Sequence, residues 1–232
     1  MARPSRLFRL LELRMPAKAM RWERRPDARP NEILDAALAV FAERGYRNTR
    51  LEHVGEAAGV TKGTIYHYFT NKEELLLRAI EHRREEAFGR IDELLRDKTA
   101  PVSTRLRLLV RRLFADLSKE RLAIVTLLVQ GIAHEAPDVH RKWLAGGPTA
   151  AARMITTLIR EGQTRGEFRP DADGDVAARL LVSGLLQQTV WRQYSDTPGV
   201  AIAQDRLVDS ALELFLHSLR PTSAHRALRV KR

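Results

Sequence analysis

Cysteine is absent from the sequence. This absence excludes disulfide bonds, cysteine-based metal sites and cysteine nucleophiles, and it favours a reducing, cytoplasmic compartment. Long apolar stretches are also missing, because the two longest uncharged runs, 122–133 and 180–191, are too short to cross a bilayer. They predict buried helices and no membrane partner. Charged residues interrupt the basic N-terminal segment, so it does not have the pattern of a secretory signal.

The motifs of common enzymes are lacking as well. The chain has no nucleophile elbow, no phosphate-binding loop and no dinucleotide-binding glycine pattern. His134 and His140 do not have the spacing of a helical zinc pair. Asp171, Asp173 and Asp175 lack the later glutamate of a calcium loop and precede a helix, where acids suit the dipole. We therefore expect no catalytic residue, no metal and no cofactor.

The formal net charge is +11, and most of it lies at the two ends of the chain. Residues 1–28 hold eight basic and three acidic side chains, whereas residues 220–232 hold five basic and none acidic. Basic tails attract nucleic acid or anionic membranes through a long-range field, although they can also be no more than solvated ends. We predict a disordered basic extension over 1–28 and a basic tail over 220–232.

The apolar residues, 44% of the chain, recur with the period of helices, and no strand pattern of period two is present. The expected fold class is therefore all-α. We expect Pro137 to end the helix that begins near Glu120, and a short segment to surround Trp143. The remaining predicted helices span 29–44, 51–58, 62–68, 71–96, 102–117, 149–165, 173–194 and 203–219.

The stretch Leu51–Lys72, LEHVGEAAGVTKGTIYHYFTNK, contains two short helices joined by a tight glycine turn. This is the pattern of a helix-turn-helix. Small residues stand where the two helices must cross, namely Gly55, Ala58 and Gly59, and close approach of the helices explains a glycine at 55. The alternative is a helical hairpin in an ordinary all-α domain.

Capping signals mark the helices around this turn. Thr61 is the expected N-cap of the second short helix, and Asn71 caps the long helix that follows, with Glu74 at the capping-box position. The second short helix turns polar and aromatic side chains outward. Threonine and lysine suit base edges and phosphates, and aromatic edges pack on sugars and methyl groups. This outward face comprises Thr61, Lys62, Gly63, Thr64, Tyr66, His67 and Tyr68.

The segment TKGTIYHYFTNKEEL, preceded by AAGV and by a helix ending in GY, resembles the TetR/AcrR family of bacterial repressors over about residues 30–80. The positions that the resemblance assigns to bases are Lys62, Thr64 and His67. The positions that it assigns to phosphates are Tyr66, Tyr68, Lys72 and either Thr49 or Arg50. The sequence departs from the family at Arg50, where threonine is usual, and at Gly55, where alanine is usual.

The last two predicted helices carry apolar residues on more than one face, which indicates a second partner besides the core of the same chain. A twofold interface of two helices from each chain is the simplest arrangement, and the family resemblance implies the same homodimer. A larger monomeric core is the alternative. The apolar and small residues concerned are Val176, Leu180, Leu181, Gly184, Leu185, Leu207, Val208, Ala211, Leu212, Leu214, Phe215 and Leu219.

A pocket for a small-molecule effector is expected among helices between about Val102 and Leu185. Few charges fall in this core, so an apolar or aromatic ligand is favoured. The candidate lining residues are Phe114, Gln130, His134, Trp143, Met154, Gln187 and Trp191.

These patterns together predict a helix-turn-helix DNA-binding domain over 29–75 and a larger helical domain for effector binding and dimerisation over 76–219. The expected function is a homodimeric repressor that leaves its double-stranded DNA operator when a small hydrophobic ligand binds. A constitutive DNA-binding protein without an effector is one alternative. A helical lipid-carrier or enzyme domain is another.

Overall fold

Ten α-helices, with no strand between them, form the part of the chain that the structure describes. This computed structural model describes residues 29–89, 91, 98–117, 120–191 and 202–221. The prediction of an all-α fold is confirmed. The helices are α1 (Arg29–Asn48), α2 (Leu51–Ala57), α3 (Lys62–Tyr68), α4 (Lys72–Phe88), α5 (Val102–Leu117), α6 (Glu120–Gly131), α7 (Pro137–Gly146), α8 (Pro148–Arg165), α9 (Gly174–Trp191) and α10 (Gln204–Leu219).

Some predictions fall on residues outside the described ranges. These are the N-terminal extension 1–28, the basic tail beyond residue 221, and the continuation of the long helix over 92–96. The end of the helix predicted over 173–194 also lies there.

Pro137 is the clearest departure from the predicted helix boundaries. It does not end a helix but is the first residue of α7. Proline suits this position because the N–H that it lacks would have no intrahelical partner there. The preceding helix, α6, ends at Gly131, and a turn at residues 132–135 separates it from α7. The predicted segment around Trp143 therefore belongs to a separate helix.

Helix α1 continues past its predicted end at residue 44, with a kink at Gly45. Gly45 has φ 74° and ψ 162°, outside the helical region, although a last helical turn reaches Asn48. A positive φ favours glycine because other residues bring Cβ against the backbone. Gly45 therefore redirects the chain inside α1.

The described chain divides into two compact units by its contacts. The first contains residues 29–83 and 124–143, and the second contains the described residues between 84 and 123 and from 144 to 221. The division at residue 75 that the sequence pattern indicates stays a prediction. Among the described helices, none is both long enough and apolar enough to cross a membrane.

The core of the first unit is built on the apolar face of α1. Ile33, Ala37 and Phe41 are fully buried on that helix. Helix α2 packs against both α1 and α3, and Val54 and Ile65 bring their fully buried side chains to these contacts. Burial of each such side chain contributes about 1.5–3 kcal/mol. This core holds α3 by its inner side and leaves the other side free.

Residues 124–143 belong to the same unit as α1–α3. The ion pair between Arg47 Nε and Glu135 Oε1, at 3.0 Å, joins the end of α1 to the turn before α7. A ring nitrogen of His140, Nδ1, lies 3.1 Å from the Val129 carbonyl oxygen. Val139 is fully buried. The turn and α7 are thus anchored within the first unit by polar as well as apolar contacts.

The second unit has a continuous apolar core drawn from α5, α8, α9 and α10. Within this unit Arg105 is only 4% exposed, and its Nη1 donates to Glu161 Oε1 at 2.7 Å. This hydrogen bond from Arg105 lowers the pKa of the Glu161 carboxyl group. Helices α5 and α10 are also linked by the ion pairs Arg107–Glu213 at 2.6 Å and Arg111–Asp209 at 2.9 Å.

Candidate nucleic-acid interface

The two short helices α2 and α3 are joined by a tight turn at residues 58–61. Gly59 adopts φ 66° in this turn, the conformation that favours glycine. The N–H of Ala58 donates to the Val54 carbonyl at 2.9 Å, and the N–H of Val60 donates to the Gly55 carbonyl at 2.9 Å. The turn therefore satisfies backbone groups at the end of α2 and directs the chain into α3, as the glycine pattern predicts.

Gly55 lies where α2 faces this turn and α3. A Cβ built there would meet the Val60 carbonyl oxygen at 3.4 Å and Ile65 Cγ2 at 3.6 Å. These are ordinary van der Waals distances, so the space accepts the methyl group of an alanine. Close helix approach therefore does not explain the glycine, and that interpretation of the sequence is corrected. Nothing else in the described structure explains it.

The start of α3 is capped as its sequence predicts. Thr61 Oγ1 accepts a hydrogen bond from the Thr64 N–H at 3.2 Å, which makes Thr61 the N-cap. The two hydroxyl groups of Thr61 and Thr64 also lie 2.8 Å apart in a hydrogen bond. The cap and a candidate base-reading side chain thus share one small network.

The next helix, α4, starts with a similar device. Asn71 Oδ1 accepts from the Glu74 N–H at 2.9 Å, as the capping-box pattern predicts. The reciprocal hydrogen bond goes one residue further back than expected, from the Thr70 N–H to Glu74 Oε2 at 2.9 Å. Hydrogen bonds from Thr70 lower the pKa of the Glu74 carboxyl group. These contacts fix the direction in which the chain leaves α3.

The outward side of α3 presents most of the predicted DNA-binding set. Ile65 faces the core and is fully buried, whereas Tyr66 is 46% exposed. A Cβ added at Gly63 would meet nothing nearer than Thr61 Oγ1 at 3.9 Å, so the surface above it is open. The exposed members are Thr61, Lys62, Gly63, Tyr66 and His67. The half-buried members are Thr64 and Tyr68.

A carboxylate that the sequence patterns do not single out lies against this face. Glu52 Oε1, from the first turn of α2, accepts hydrogen bonds from Lys62 Nζ at 3.0 Å and from Tyr66 Oη at 3.1 Å. The hydrogen bond from Lys62 lowers the pKa of Glu52 to about 2 and raises the pKa of Lys62. At neutral pH both groups are therefore ionised. From the sequence alone, an acid in the first turn of a helix indicates only a favourable interaction with the helix dipole.

Lys72 occupies a different position from the one that a simple phosphate contact implies. Its Nζ donates to the carbonyl oxygens of Tyr46 at 2.8 Å and Arg47 at 3.1 Å, at the end of α1. The same ammonium lies 4.4 Å from the centre of the Tyr46 ring, which stacks on Phe41 with ring centres 5.8 Å apart. Burial raises the pKa of the Tyr46 hydroxyl group, and the negative charges of Glu73 and Glu135 raise it further. Lys72 thus ties α4 to α1.

The two residues before α2, Thr49 and Arg50, differ in their exposure to solvent. Thr49 is 1% exposed, and its hydroxyl donates to the Gly45 carbonyl at 2.7 Å, so the structure does not offer it to DNA as a phosphate contact. Arg50 is exposed and is itself the N-cap residue of α2, where its N–H donates to His53 Nδ1 at 3.3 Å. Of the two candidates for this phosphate, Arg50 is the accessible one.

The predicted ligand-binding residues are not gathered within one unit. Phe114 and Met154 belong to the core of the second unit, where Phe114 is buried and Met154 is half-buried. Two more members of that unit, Gln187 and Trp191, are exposed on α9. The members assigned to the first unit are exposed Gln130, exposed His134 and buried Trp143. The effector pocket formed by these seven residues stays a prediction.

A short helix held by its apolar side, with an open polar and aromatic side, defines a DNA-binding helix-turn-helix protein. Two family models match the chain. Residues 33–79 match the bacterial regulatory proteins of the tetR family, and residues 104–219 match the C-terminal domain of AefR-like transcriptional repressors. The chain belongs to the tetR family of transcriptional repressors, as the resemblance of α1–α4 predicts.

Individual relatives cover most of the chain. It is 26% identical over 195 residues to the HTH-type transcriptional repressor KstR2 of Mycolicibacterium smegmatis, covering 82% of this chain and 90% of the relative. It is 30% identical over 161 residues to the fatty acid metabolism regulator protein of Bacillus subtilis, covering 68% of this chain and 80% of that protein. The solved structure of the regulator FadR from Bacillus subtilis in complex with stearoyl-CoA superposes with a TM-score of 0.67 at 26% identity, covering 82% and 99%.

Proposed function

We propose that this repressor binds a specific operator through the outward face of α3, as a homodimer, and leaves it when an apolar effector binds the second unit. The observation that carries the DNA-binding part is the contrast across α3. Its inner residue Ile65 is fully buried, whereas Lys62, Tyr66 and His67 stand exposed around the open surface at Gly63. A helix of this kind fits the major groove, where base edges differ in their donors and acceptors.

The outward side chains divide by chemistry into two groups. We assign base contacts to Lys62, Thr64 and His67, and phosphate contacts to Tyr66, Tyr68, Arg50 and the remaining N–H of Lys72. The helix-turn-helix residues 29–75 carry six basic and seven acidic side chains, so attraction by net charge contributes little to its affinity. The affinity of this domain therefore rests on a few placed donors and not on its net charge.

Replacement of one base contact tests this assignment. Thr64→Ala should weaken binding to a duplex selected by the wild-type protein by about 5- to 150-fold, equivalent to about 1–3 kcal/mol. Thr157→Ala is the matched control, because Thr157 is an exposed threonine on α8 whose hydroxyl donates to the Arg153 carbonyl of its own helix. Fluorescence anisotropy with the selected duplex and with a scrambled one measures both variants. Equal effects of the two substitutions would remove α3 from DNA recognition.

The dimer is proposed from apolar side chains that the described chain leaves uncovered. Leu180 on α9 is 70% exposed and Leu214 on α10 is 74% exposed, while Val176 on α9 is also exposed. Helices α9 and α10 contact each other. Their other apolar residues, such as Leu181 and Leu212, are buried in the core of the second unit. One set of apolar residues therefore builds the core, and a second set is free for another copy of the chain.

Substitution of an exposed leucine separates assembly from folding. Leu214→Glu should yield a folded monomer, because this side chain contributes little to the core of its own chain. Leu108→Glu is the control, since Leu108 is an exposed leucine on α5. Analytical ultracentrifugation measures the mass of both variants. A dimer that persists with glutamate at 214 and at 180 would contradict this interface. In an intact dimer we expect the two α3 helices to lie roughly 34–36 Å apart, one turn of DNA.

The effector that we propose is a molecule with a long apolar acyl chain. The support comes from the relatives: one is a fatty acid metabolism regulator, and one solved structure holds stearoyl-CoA. The core of the second unit, which contains Phe114 and the partly buried Met154, consists mainly of aliphatic and aromatic side chains that suit such a ligand. A repressor without an effector is the alternative, and it predicts that acyl compounds leave the thermal stability of the protein unchanged.

A further inference from the structure

The carboxylate of Glu52 is in direct contact with two side chains that the proposed function places on DNA. Its Oε1 atom lies 3.0 Å from Lys62 Nζ and 3.1 Å from Tyr66 Oη. Lys62 and Tyr66 are one turn apart on α3, and Lys62 Nζ lies 5.7 Å from the centre of the Tyr66 ring. The three side chains form a single cluster between the first turn of α2 and the outward face of α3.

We propose that Glu52 is a specificity-determining residue, which holds Lys62 and Tyr66 back from the DNA backbone unless the base sequence fits α3. The inference rests on the proposed function, because it presupposes that α3 enters the groove. Glu52 acts through the other two side chains and is therefore a positioning residue.

The physical reason lies in how non-specific binding arises. Proteins bind arbitrary DNA sequences chiefly by neutralising phosphates with lysine and arginine. Lys62 can give its full charge to a phosphate only by leaving its ion pair, and the ionised Glu52 would then face the polyanion alone. At a fitting sequence, the acceptors of the base edges compensate for the lost contact. A penalty that acts mainly on wrong sequences raises discrimination.

The charge balance of residues 29–75 makes this effect measurable. The helix-turn-helix residues 29–75 contain only six basic side chains, and among those near α3 Lys72 already donates to two carbonyl groups of α1. When Lys62 is paired with Glu52, few cations of the helix-turn-helix remain for arbitrary phosphates. Release of Lys62 should therefore change non-specific affinity visibly.

The experiment compares Glu52→Gln with Glu56→Gln in the full chain. Glu56 lies one turn further along α2, is exposed, and makes no side-chain hydrogen bond or ion pair among the described residues. Both substitutions remove one negative charge, so effects of net charge alone are the same. The probes are a duplex selected by the wild-type protein from a randomised library and a scrambled duplex of equal length and composition. Binding is measured between 50 and 200 mM salt.

We expect Glu52→Gln to strengthen binding to the scrambled duplex and to lower the ratio of the two affinities, while Glu56→Gln leaves that ratio unchanged. Because one more phosphate is neutralised, the slope of log K against log salt for the scrambled duplex should steepen by about 0.9. When the salt is lowered from 200 to 50 mM, the affinity of Glu52→Gln for the scrambled duplex should therefore rise by a factor about threefold larger than that of the wild type. A purely structural role of Glu52 would not change this slope.

Combining Glu52→Gln with Lys62→Met tests whether Glu52 acts through Lys62. In that background Glu52→Gln should no longer affect the salt slope, since the two effects are coupled through one ion pair. An undiminished effect without Lys62 would show that the charge of Glu52 acts by itself, and would overturn the proposal. Equal ratios and slopes for the Gln variants at 52 and 56 would overturn it as well. Thermal unfolding checks the fold, and Glu52→Ala repeats the measurement if the glutamine variant is unfolded. A wild-type protein that selects no sequence would instead refute the proposed function.

Discussion

Replacement of Lys72 by methionine separates two roles of this lysine. One role is to link α1 and α4, and the other is to contact a DNA phosphate. The ammonium donates two hydrogen bonds to the last carbonyls of α1 and lies over the Tyr46 ring. Methionine keeps most of the aliphatic stem but removes the charge and all three donors. The substitution therefore tests whether Lys72 holds α1 and α4 together or serves only as a phosphate contact.

The expected loss follows from these contacts. A hydrogen bond to a charged group contributes about 1.5–3 kcal/mol when it is well buried. Lys72 is half-buried and one of its acceptors is exposed, so solvent reduces each hydrogen bond to about 1 kcal/mol. The loss in the free energy of unfolding should then be about 2 kcal/mol, which corresponds to about 4–8 °C in the melting temperature of a chain of this size.

Urea unfolding followed by circular dichroism measures the stability, and Lys142→Met is the control. Lys142 is an exposed lysine on α7 in the same compact unit. We also expect Lys72→Met to weaken binding to every DNA sequence by a similar factor, because the third N–H is free to donate to a phosphate. A variant as stable as the wild type, with only a reduced salt slope for DNA, would refute the tie between α1 and α4 and leave Lys72 as a phosphate contact alone.

Three further predictions concern stability. Gly55→Ala should raise the free energy of unfolding by about 1 kcal/mol, because the space accepts a methyl group and alanine favours the helix; a lower melting temperature would contradict this. Gly59→Ala should lower it by about 1–2 kcal/mol, because φ is 66° there, and a neutral effect in urea unfolding would show that the turn relaxes. Glu161→Gln should lower it by about 1–3 kcal/mol near neutral pH, because the hydrogen bond from Nη1 of the buried Arg105 then ends on a neutral acceptor. Since the pKa of Glu161 is lowered in the folded state, the contribution of its charge is present above the ordinary value of 4.5 and is lost as the pH falls through the folded-state pKa. The difference between wild type and variant should therefore shrink on acidification, and a constant difference in pH-dependent unfolding would contradict the assignment.

The helix-turn-helix could be predicted from the sequence because its signals are local. Thr61 caps a helix that begins one residue later, and Asn71 and Glu74 are three residues apart. The turn at Gly59 likewise depends on one residue that tolerates a positive φ. Each of these devices lies within a single helical turn, so spacing and residue type are sufficient to recognise it.

Contacts between distant segments could not be predicted in the same way. Lys72 reaches back to carbonyl groups of residues 46 and 47, and Glu52 meets Lys62 only because α2 and α3 cross. An acid at the start of a helix and a lysine at the start of another have ordinary local explanations, and these hide the contacts. The same limit applies to Thr49, whose burial depends on the path of the chain after the kink at Gly45.

The predicted ligand-binding residues are divided between the two units, and the sequence does not show this division for a related reason. Aromatic and amide side chains such as Trp143 and Gln187 stand out in a helical sequence, but their surroundings depend on tertiary packing. The former is buried in the first unit and the latter is exposed in the second. Residue type alone does not show which apolar faces surround a ligand.

In the proposed function, DNA binding and effector binding are coupled in one protein. The most direct test is calorimetric titration of the full chain with stearoyl-CoA, with and without a saturating amount of the selected duplex. Coupling of about 1–3 kcal/mol predicts that the duplex weakens stearoyl-CoA binding by about 5- to 150-fold, and reciprocity requires the same factor for the effect of the ligand on DNA affinity. Tight binding of stearoyl-CoA with equal affinity in both conditions, or no binding in either, would contradict release of the repressor by an acyl effector.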